Sequence, residues 1–555
     1  FSIFDQIKIR FILRKIVHIV VFAFTFLVSL QLVLVMLLQN PQAQTFASRL
    51  TAAFLNRTLG TDLSIGEIQI GILGTFYLND LTAHDSRGNK MIRIDELELA
   101  VGGINRFQKS LSFRHLRLEG VDFMIRKYEK DQPGNFLRMI NRFKSDTQDT
   151  TVSQPPPLWE ISIEDFSIRN AHFLYEDKHE KQASRSIDFK DIELLDMDLL
   201  ASGVNINGDT IKAHFQNLAF VEKSGFELKE FSGDLQFSPV GLSADQLLIV
   251  TNKSRLDLDL EFEYPDMSAF SDFISKVRFE GNFRPTTLEM SDIGYFAETM
   301  FAMEDLIEME GRFTGTVDNL KGKNFRIGYG DHTRFYGTVT MNGLPDITET
   351  FIHAHIKDLK TDAGDVKSFR LPGDAGRIEI PDLLTKMGVV NVKGRFTGFY
   401  NDFLANATFN SALGKLKTDI VLKTDQSTNT LSYNGELIAT SLDAGTLLSA
   451  GPQLGKTSFM LEVDGKGVTL PTLNLTADGM IRSLYFNGYN YRNITVDGTF
   501  NDFIFEGHTS IRDENLDFIF NGLIDFEEDK PRFDFQSRIH RADLAKLQLT
   551  DRDLV

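Results

Sequence analysis

Few residues in this chain are spaced for chemistry. The stretch AGPQLGKT (450–457) fits a relaxed phosphate-loop pattern, with Ala450 in place of the first glycine. It would hold a nucleotide through Gly455, Lys456 and Thr457. Such a loop must leave a strand and open a helix. Here AGTLLSA before it reads helical and SFMLEVDG after it alternates as a strand, so the order is reversed. His353 and His355 share one strand face as a possible metal pair, but zinc takes three or four ligands and the others are not evident. Asp257 and Asp259 resemble a hydrolase pair in spacing, yet they fall on the polar stripe of a strand, where solvation accounts for them. The Asn-x-Ser/Thr matches at Asn56 and Asn252 carry little weight. The expectation is a protein that is not an enzyme, with no catalytic residue, metal or cofactor.

Composition narrows the classes further. A globular reading of 555 residues gives about three or four domains. Lys and Arg number 59 against 77 Asp and Glu, a net charge of −18. Residues 1–40 hold Lys8, Arg10, Arg14, Lys15 and one acid, Asp5, for +3, which leaves −21 on the rest. A body that acidic repels a phosphate backbone, so no nucleic acid is expected as a partner. Cysteine is absent, which excludes disulfides, Cys-ligated zinc, iron–sulfur clusters and thiol nucleophiles. There are 48 Phe and a single Trp, Trp159. The chain opens on Phe1 and stops at Val555 in mid-pattern, so it reads as part of something longer.

The elements that position these residues begin with a membrane anchor. Ile16 to Leu38 is an apolar run broken only by His18, Thr25, Ser29 and Gln31. Ile16, Val20, Phe24, Val28, Leu32 and Leu38 mark its length. At about 1.5 Å per residue it can cross a bilayer core of about 30 Å. It is longer than the apolar core of a cleaved signal peptide. The basic residues before it predict a cytoplasmic tail over 1–15 and a body on the far side of the membrane.

Beyond the span, residues 42–59 read as an amphipathic helix through Phe46, Leu50 and Phe54. Then the period drops to two. Leu256, Leu258, Leu260, Phe262 and Tyr264 face one way, against Asp257, Asp259, Glu261 and Glu263. Leu416, Ile420 and Leu422 oppose Lys415, Lys417, Asp419 and Lys423; Leu516, Phe518, Phe520 and Phe526 fall in phase. Such strands belong to antiparallel or solenoidal sheets with one side in water. Short helices are expected near 135–143, with Asn135 as N-cap, and near 266–277, 293–306, 380–387 and 441–449. The polar, Pro-rich stretch 144–157 reads as a linker. The segments 112–125 and 162–175 share one template: Leu116 matches Phe166, Leu118 matches Ile168, Val121 matches Ala171 and Phe123 matches Phe173. Residues 92–99 match 187–194 likewise. The apolar phase slips between Leu118 and Val121, which predicts a bulge or turn at Gly120 between two short strands.

What the apolar face packs against decides function. A stack of closed sandwiches would need no ligand. A sheet curled into a trough would hold apolar cargo, and acyl chains fit such a trough. Periodicity leaves both open.

A family resemblance favours the trough. After the span and the helix come NRTLGTDLSIGEIQIG (56–71), FYLNDLTAHDSRGNKMIRIDELELAV (76–101), LSFRHLRLEGVDFMIRK (111–127) and the GNFLRMINRF helix. Later stretches include 394–423 and 484–526. In this order the N-terminal part resembles the AsmA-like family, and the whole chain resembles the TamB family as found in Bacteroides-type bacteria. The resemblance implies a single-pass protein of the bacterial inner membrane, N-terminus cytoplasmic and body periplasmic. Its domains would be the tail (1–15), the span (16–38), an AsmA-like region (39–143), the linker (144–157) and a repeating body (158–555). The implied fold is mainly β, an elongated U-shaped antiparallel groove, as in bridge-like lipid-transfer proteins. The implied function is carriage of phospholipids toward the outer membrane. The older reading of the family is a translocation and assembly module for outer-membrane proteins, with an Omp85-type barrel as partner through a C-terminal region absent here. An anchored β-sandwich scaffold without ligand is the third possibility. The candidate groove lining is Leu97, Leu99, Val101, Leu116, Leu118, Phe123, Ile125, Phe166, Ile168 and Phe173, with Leu256, Leu258, Leu260, Phe262, Leu416, Ile420, Leu422, Phe518 and Phe520.

Overall fold

The computed structural model describes Thr45, Phe46 and Arg49 and then the chain from Asp62 to Thr550, leaving out 72–73, 129–132, 145–158, 179–184, 469–471, 526–531 and a few positions at 372–381 and 426–429. The expected span over 16–38 lies outside the described residues, as do nearly all of the helix expected over 42–59 and Phe526. No described helix is long and apolar enough to cross a membrane. The chain forms two compact units, Phe1–Asn252 and Lys253–Val555.

The first unit carries nine described strands: β1 (Asp62–Ile70), β2 (Thr75–His84), β3 (Lys90–Asn105), β4 (Ser110–Lys127), β5 (Glu160–Asp177), β6 (Asp191–Asn207), β7 (Thr210–Glu222), β8 (Glu227–Ser238) and β9 (Gly241–Thr251). Each pairs with the next. All pairs are antiparallel except β4–β5, which is parallel and so departs from the expected antiparallel sheet. A parallel pair needs a long crossover. The helix Asn135–Lys144 lies in it and is seated by Phe136, whose ring meets Phe123 edge-on at 4.9 Å. Asn135 is the first residue of this helix rather than its N-cap, since Gly134 O accepts the first helical bond, from Arg138 N at 3.0 Å. Its Oδ1 accepts from Arg126 N at 3.0 Å, and its Nδ2 donates to Met124 O at 3.2 Å, which ties the helix to the end of β4. The stretch 144–157 does not separate the units, because β4 and β5 on its two sides pair directly.

The parallel pair explains the fifty-residue match. Leu116 lies opposite Phe166, Leu118 opposite Ile168, Val121 opposite Ala171 and Phe123 opposite Phe173. The matched residues are neighbours in one ladder. The second match holds only in part: Asp191–Leu194 is strand, whereas 187–190 lie in the approach and turn before it.

Gly120 does not divide β4. The strand is continuous, and its register against β3 is unshifted from Leu118 to Phe123. Gly120 instead holds a left-handed backbone, φ +62°. Asp80 on β2, Asn170 on β5 and Asp196 on β6 do the same at φ +53°, +50° and +51°. Their neighbours are in register: Asn79 with Glu96, Glu96 with Glu119, Glu119 with Arg169. Left-handed residues therefore recur at one level on β2, β4, β5 and β6, with β3 between the first two keeping ordinary strand backbone, and they fall where the apolar phase changes. Gly, Asn and Asp are the residues that adopt this conformation at least cost.

The second unit carries sixteen described strands, from Arg255–Glu263 to Phe533–Ala542, each antiparallel to the next. Short helices occur near the expected places: 267–276, 290–302, 382–385 and 444–448. Ala363–Ser368 is a further helix. The insertions at 290–302, 363–385 and 444–453 follow every fourth strand and so leave the sheet along the same edge. They touch in sequence. Gly373 N donates to Thr299 O at 2.8 Å, and Lys386 Nζ donates to Leu447 O at 3.0 Å. This four-strand period holds from Arg278–Glu289 to Leu454–Lys466 and is not continued after Ile504–Arg512, where only 513–515 join the strands.

Candidate functional site: a one-sided apolar face

Strand alternation places the candidate residues on one face of the sheet within each unit. In the first unit Leu97 lies opposite Leu118 and Leu99 opposite Leu116. Val101 meets Phe113, and Ile125 meets Tyr175. The rings of Phe123 and Phe173 lie 6.0 Å apart. In the second unit Leu258 meets Phe283, Leu260 meets Gly281 and Phe262 meets Phe279. Leu256 falls where the register shifts. Leu416 lies between Phe409 and Ala439, Ile420 between Ala405 and Gly435, and Leu422 between Phe403 and Tyr433. Phe518 meets Ile511 and Ile539. Phe520 lies opposite Thr509 and Ser537, with its ring between Phe505 and Phe535.

One buried cluster among the described residues was not among the sequence candidates. Phe313, Phe325, Val339 and Ala354 are buried, with Phe279, Phe283, Phe335 and Phe396 packed around them. The members come from six consecutive strands, Arg278–Glu289 to Val390–Phe399. Alternation here is diluted by glycine, as in GRFTG and TRFYGTVT. The usable signal was Phe set beside glycine. A Cβ built on Gly322 would meet the Phe313 ring at 3.2 Å, so these glycines make room for the rings.

Two observations describe how this face is covered. Every aromatic pair between two described strands joins ladder neighbours. Of the nineteen candidate lining residues, only Leu258, Ile420 and Phe520 are fully buried; the others are half-buried. Fully buried apolar positions are often small, such as Ala83, Ala171 and Ala407. A closed sandwich core would bury its large side chains as fully as its small ones. The face is apolar enough to act on tyrosines: burial alone raises the hydroxyl pKa of Tyr433, which sits opposite Leu422.

The opposite face is charged and paired. Arg284 bridges Asp257 and Asp259, with Nη1 to Asp259 Oδ2 at 2.9 Å. The carboxylate pair is thus held by a shared guanidinium rather than by water alone. His353 Nδ1 lies 2.9 Å from Thr397 Oγ1. The stretch 450–457 runs from the helix Ala444–Leu448 into the strand Leu454–Lys466, the reverse of a phosphate loop.

Among the described residues, one group could offer ligands to a metal: His332, Asp362 and Asp365. Its carboxylates already have structural work. Asp365 accepts from the amides of Asp331, His332 and Thr333 and from Thr333 Oγ1. Burial pushes its pKa up, but these bonds outweigh burial and hold it below the ordinary range. Asp362 caps the helix Ala363–Ser368 and pairs with His332 Nδ1 at 2.9 Å.

No family model matches this chain, and neither the curated proteins nor the solved structures include a match.

Proposed function

We propose that the apolar face takes up acyl chains, and that this is an inner-membrane-anchored, periplasmic protein carrying phospholipids toward the outer membrane. One observation carries the reading: a stripe of large apolar side chains lies along the strands of each unit, and most of them stay half-buried. Each acyl CH₂ removed from water onto such a face gains about 0.8 kcal/mol. A lipid can slide along it without repeated desolvation, and no catalytic residue is needed. The paired charges of the other face suit water. The resemblance of the sequence to the AsmA-like and TamB families points the same way, and the apolar run 16–38 supplies the anchor. An Omp85-type barrel would be the outer-membrane partner.

The test is photocrosslinking in living bacteria. A benzophenone side chain replaces Leu422 or, on the polar face, Lys423, and the labelled full chain is analysed by mass spectrometry. Phospholipid attached at 422 and absent at 423 is the expected result. Equal labelling, or none at either position, would reject the reading.

A further inference from the structure

Lys456 stands in a polar hollow, although the stretch 450–457 that carries it is no phosphate loop. The hollow holds about 450 Å³ and is lined by Lys456, Ser441, Ser458, Ser483, Tyr485 and Asn490. That is the size of a small-ligand cleft. Four neighbouring strands of the second unit supply the lining: Thr430–Asp443, Leu454–Lys466, Asn474–Phe486 and Tyr489–Asn501. Register gathers it on the polar face. Ser458 lies opposite Ser483, and Tyr485 opposite Asn490. Ser441 holds left-handed backbone, φ +49°, in the bulge beside Ser458, and its N–H donates to Ser458 Oγ at 2.9 Å. Gly455 seats the tyrosine, since a Cβ there would lie 2.5 Å from the Tyr485 ring. Thr457 takes no part: it is buried opposite Leu484 and donates to Ser483 O at 3.1 Å.

The lining has the chemistry of an anion site. It contains no acid. The ladder partner of Lys456 is Asp443, whose oxygens accept from Thr446 N at 3.0 Å and Thr446 Oγ1 at 2.9 Å. Elsewhere on this face Arg284, Arg312, Arg326 and Lys423 each reach an acid across strands, whereas Lys456 has no ion pair among the described residues. Arg492 lies opposite Ser483 and adds a second cation; Asp513 takes its backbone N–H at 3.1 Å, not its guanidinium. The neutral groups are donors without acceptors. Ser458 Oγ already accepts from Ser441, which leaves its own hydrogen to donate. The side chains of Ser441, Ser483, Tyr485 and Asn490 have no hydrogen-bond partner among the described residues. A lysine point charge amid hydroxyl and amide donors matches the several oxygens of a phosphate. We propose that this hollow binds a phosphate group, with Lys456 as its counter-charge and the serines, Tyr485 and Asn490 as its hydrogen-bond donors. A phospholipid headgroup and a soluble phosphate present the same oxygens to it. The proposal concerns the polar face and does not depend on cargo on the apolar one.

The test is titration calorimetry on the full chain in neutral detergent micelles, at about 0.15 M salt so that diffuse attraction is screened. The probes are inorganic phosphate and glycerophosphoglycerol, which is the headgroup of phosphatidylglycerol without its acyl chains. The expected result is saturable uptake of one equivalent of at least one probe, about tenfold weaker in Lys456→Gln and unchanged in Lys417→Gln. Lys417 is a cation of the same face outside the hollow, and both lysines are exposed, so neither replacement disturbs the core. Preference for glycerophosphoglycerol supports a lipid headgroup as the source, and preference for inorganic phosphate supports a soluble one. Equal uptake supports a hollow that reads the phosphate alone. No saturable uptake of either probe overturns the proposal. So does binding that survives Lys456→Gln, and so does equal weakening by Lys417→Gln, which would leave only general surface charge.

Discussion

Gly120 and Asn170 lie side by side across the parallel pair β4–β5, and both hold left-handed backbone, φ +62° and +50°. Each sits where its strand exchanges odd for even apolar positions. The two strands therefore change phase together, and the apolar stripe stays on one face. A Cβ at position 120 would lie 2.2 Å from Asp95 Oδ2, besides the cost of the left-handed conformation. Gly120→Val is expected to destabilise the first unit by about 1–3 kcal/mol, read by urea unfolding through Trp159 fluorescence. Asn170→Gly should be nearly neutral, because asparagine tolerates this conformation and glycine prefers it. Equal losses in both variants would mean that backbone conformation is not what this row supplies.

Lipid uptake is best probed with adjacent residues of one strand. Leu258 is 3 % exposed, so an acid there would damage folding before it tested cargo. Asp259 shares Arg284 with Asp257, so a lysine there would break that bridge. Leu416 and Lys417 avoid both problems: Leu416 is half-buried on the apolar face and Lys417 is exposed on the other. Leu416→Asp should abolish phospholipid crosslinked at position 422, whereas Lys417→Asp, which brings in the same charge, should leave it unchanged.

The depth of burial should separate two classes of phenylalanine. Phe325 is 5 % exposed and packs its ring 4.4 Å from Phe313. Phe325→Ala should cost about 3–5 kcal/mol. Phe518 is half-buried, and Phe518→Ala should cost about 1 kcal/mol, since part of its surface is already in water. Calorimetry of the two variants distinguishes an open face from a closed core, which would penalise both alike.

Strand alternation made the fold class and the polarity of each face legible. Leu416, Ile420 and Leu422 could be assigned to one side before any pairing was known, because a two-residue period has one geometric solution. Parallel pairing of β4 with β5 was present in the sequence only as similarity between 112–125 and 162–175, since similarity does not say whether two segments stack as repeats or pair as neighbours. Alternation also signalled the phase change at Gly120, but it gave no way to tell a strand break from a left-handed residue within an unbroken ladder. The Phe313–Phe325 cluster escaped notice because glycine interrupts its strands. Arg284 could not be joined to Asp257 and Asp259 from sequence, as the contact depends on register between two strands.

The end of the first unit near the helix Asn135–Lys144 should respond to pH at both extremes. Asp85 is 6 % exposed and accepts from the amides of Arg87 and Asn89, from the Tyr128 hydroxyl at 2.5 Å and from Asn135 Nδ2 at 3.3 Å. Burial raises its pKa, but the hydrogen bonds prevail and the carboxyl ends below its ordinary value. Its contribution to stability is therefore present above the unfolded value of about 3.9 and is lost as pH falls through the lower folded value. For Tyr128, burial first and then the bond to Asp85 push the hydroxyl up to about 12. That contribution is complete below the unfolded value of about 10 and is lost as pH rises through about 12. Asp85→Asn should cost about 1–3 kcal/mol at neutral pH, with the difference from the parent shrinking in acid. Tyr128→Phe should cost less at neutral pH, with its difference shrinking in alkali. Urea unfolding followed through Trp159 across the pH range reads both, and differences that stay flat at both extremes would show that this cluster contributes nothing through ionisation.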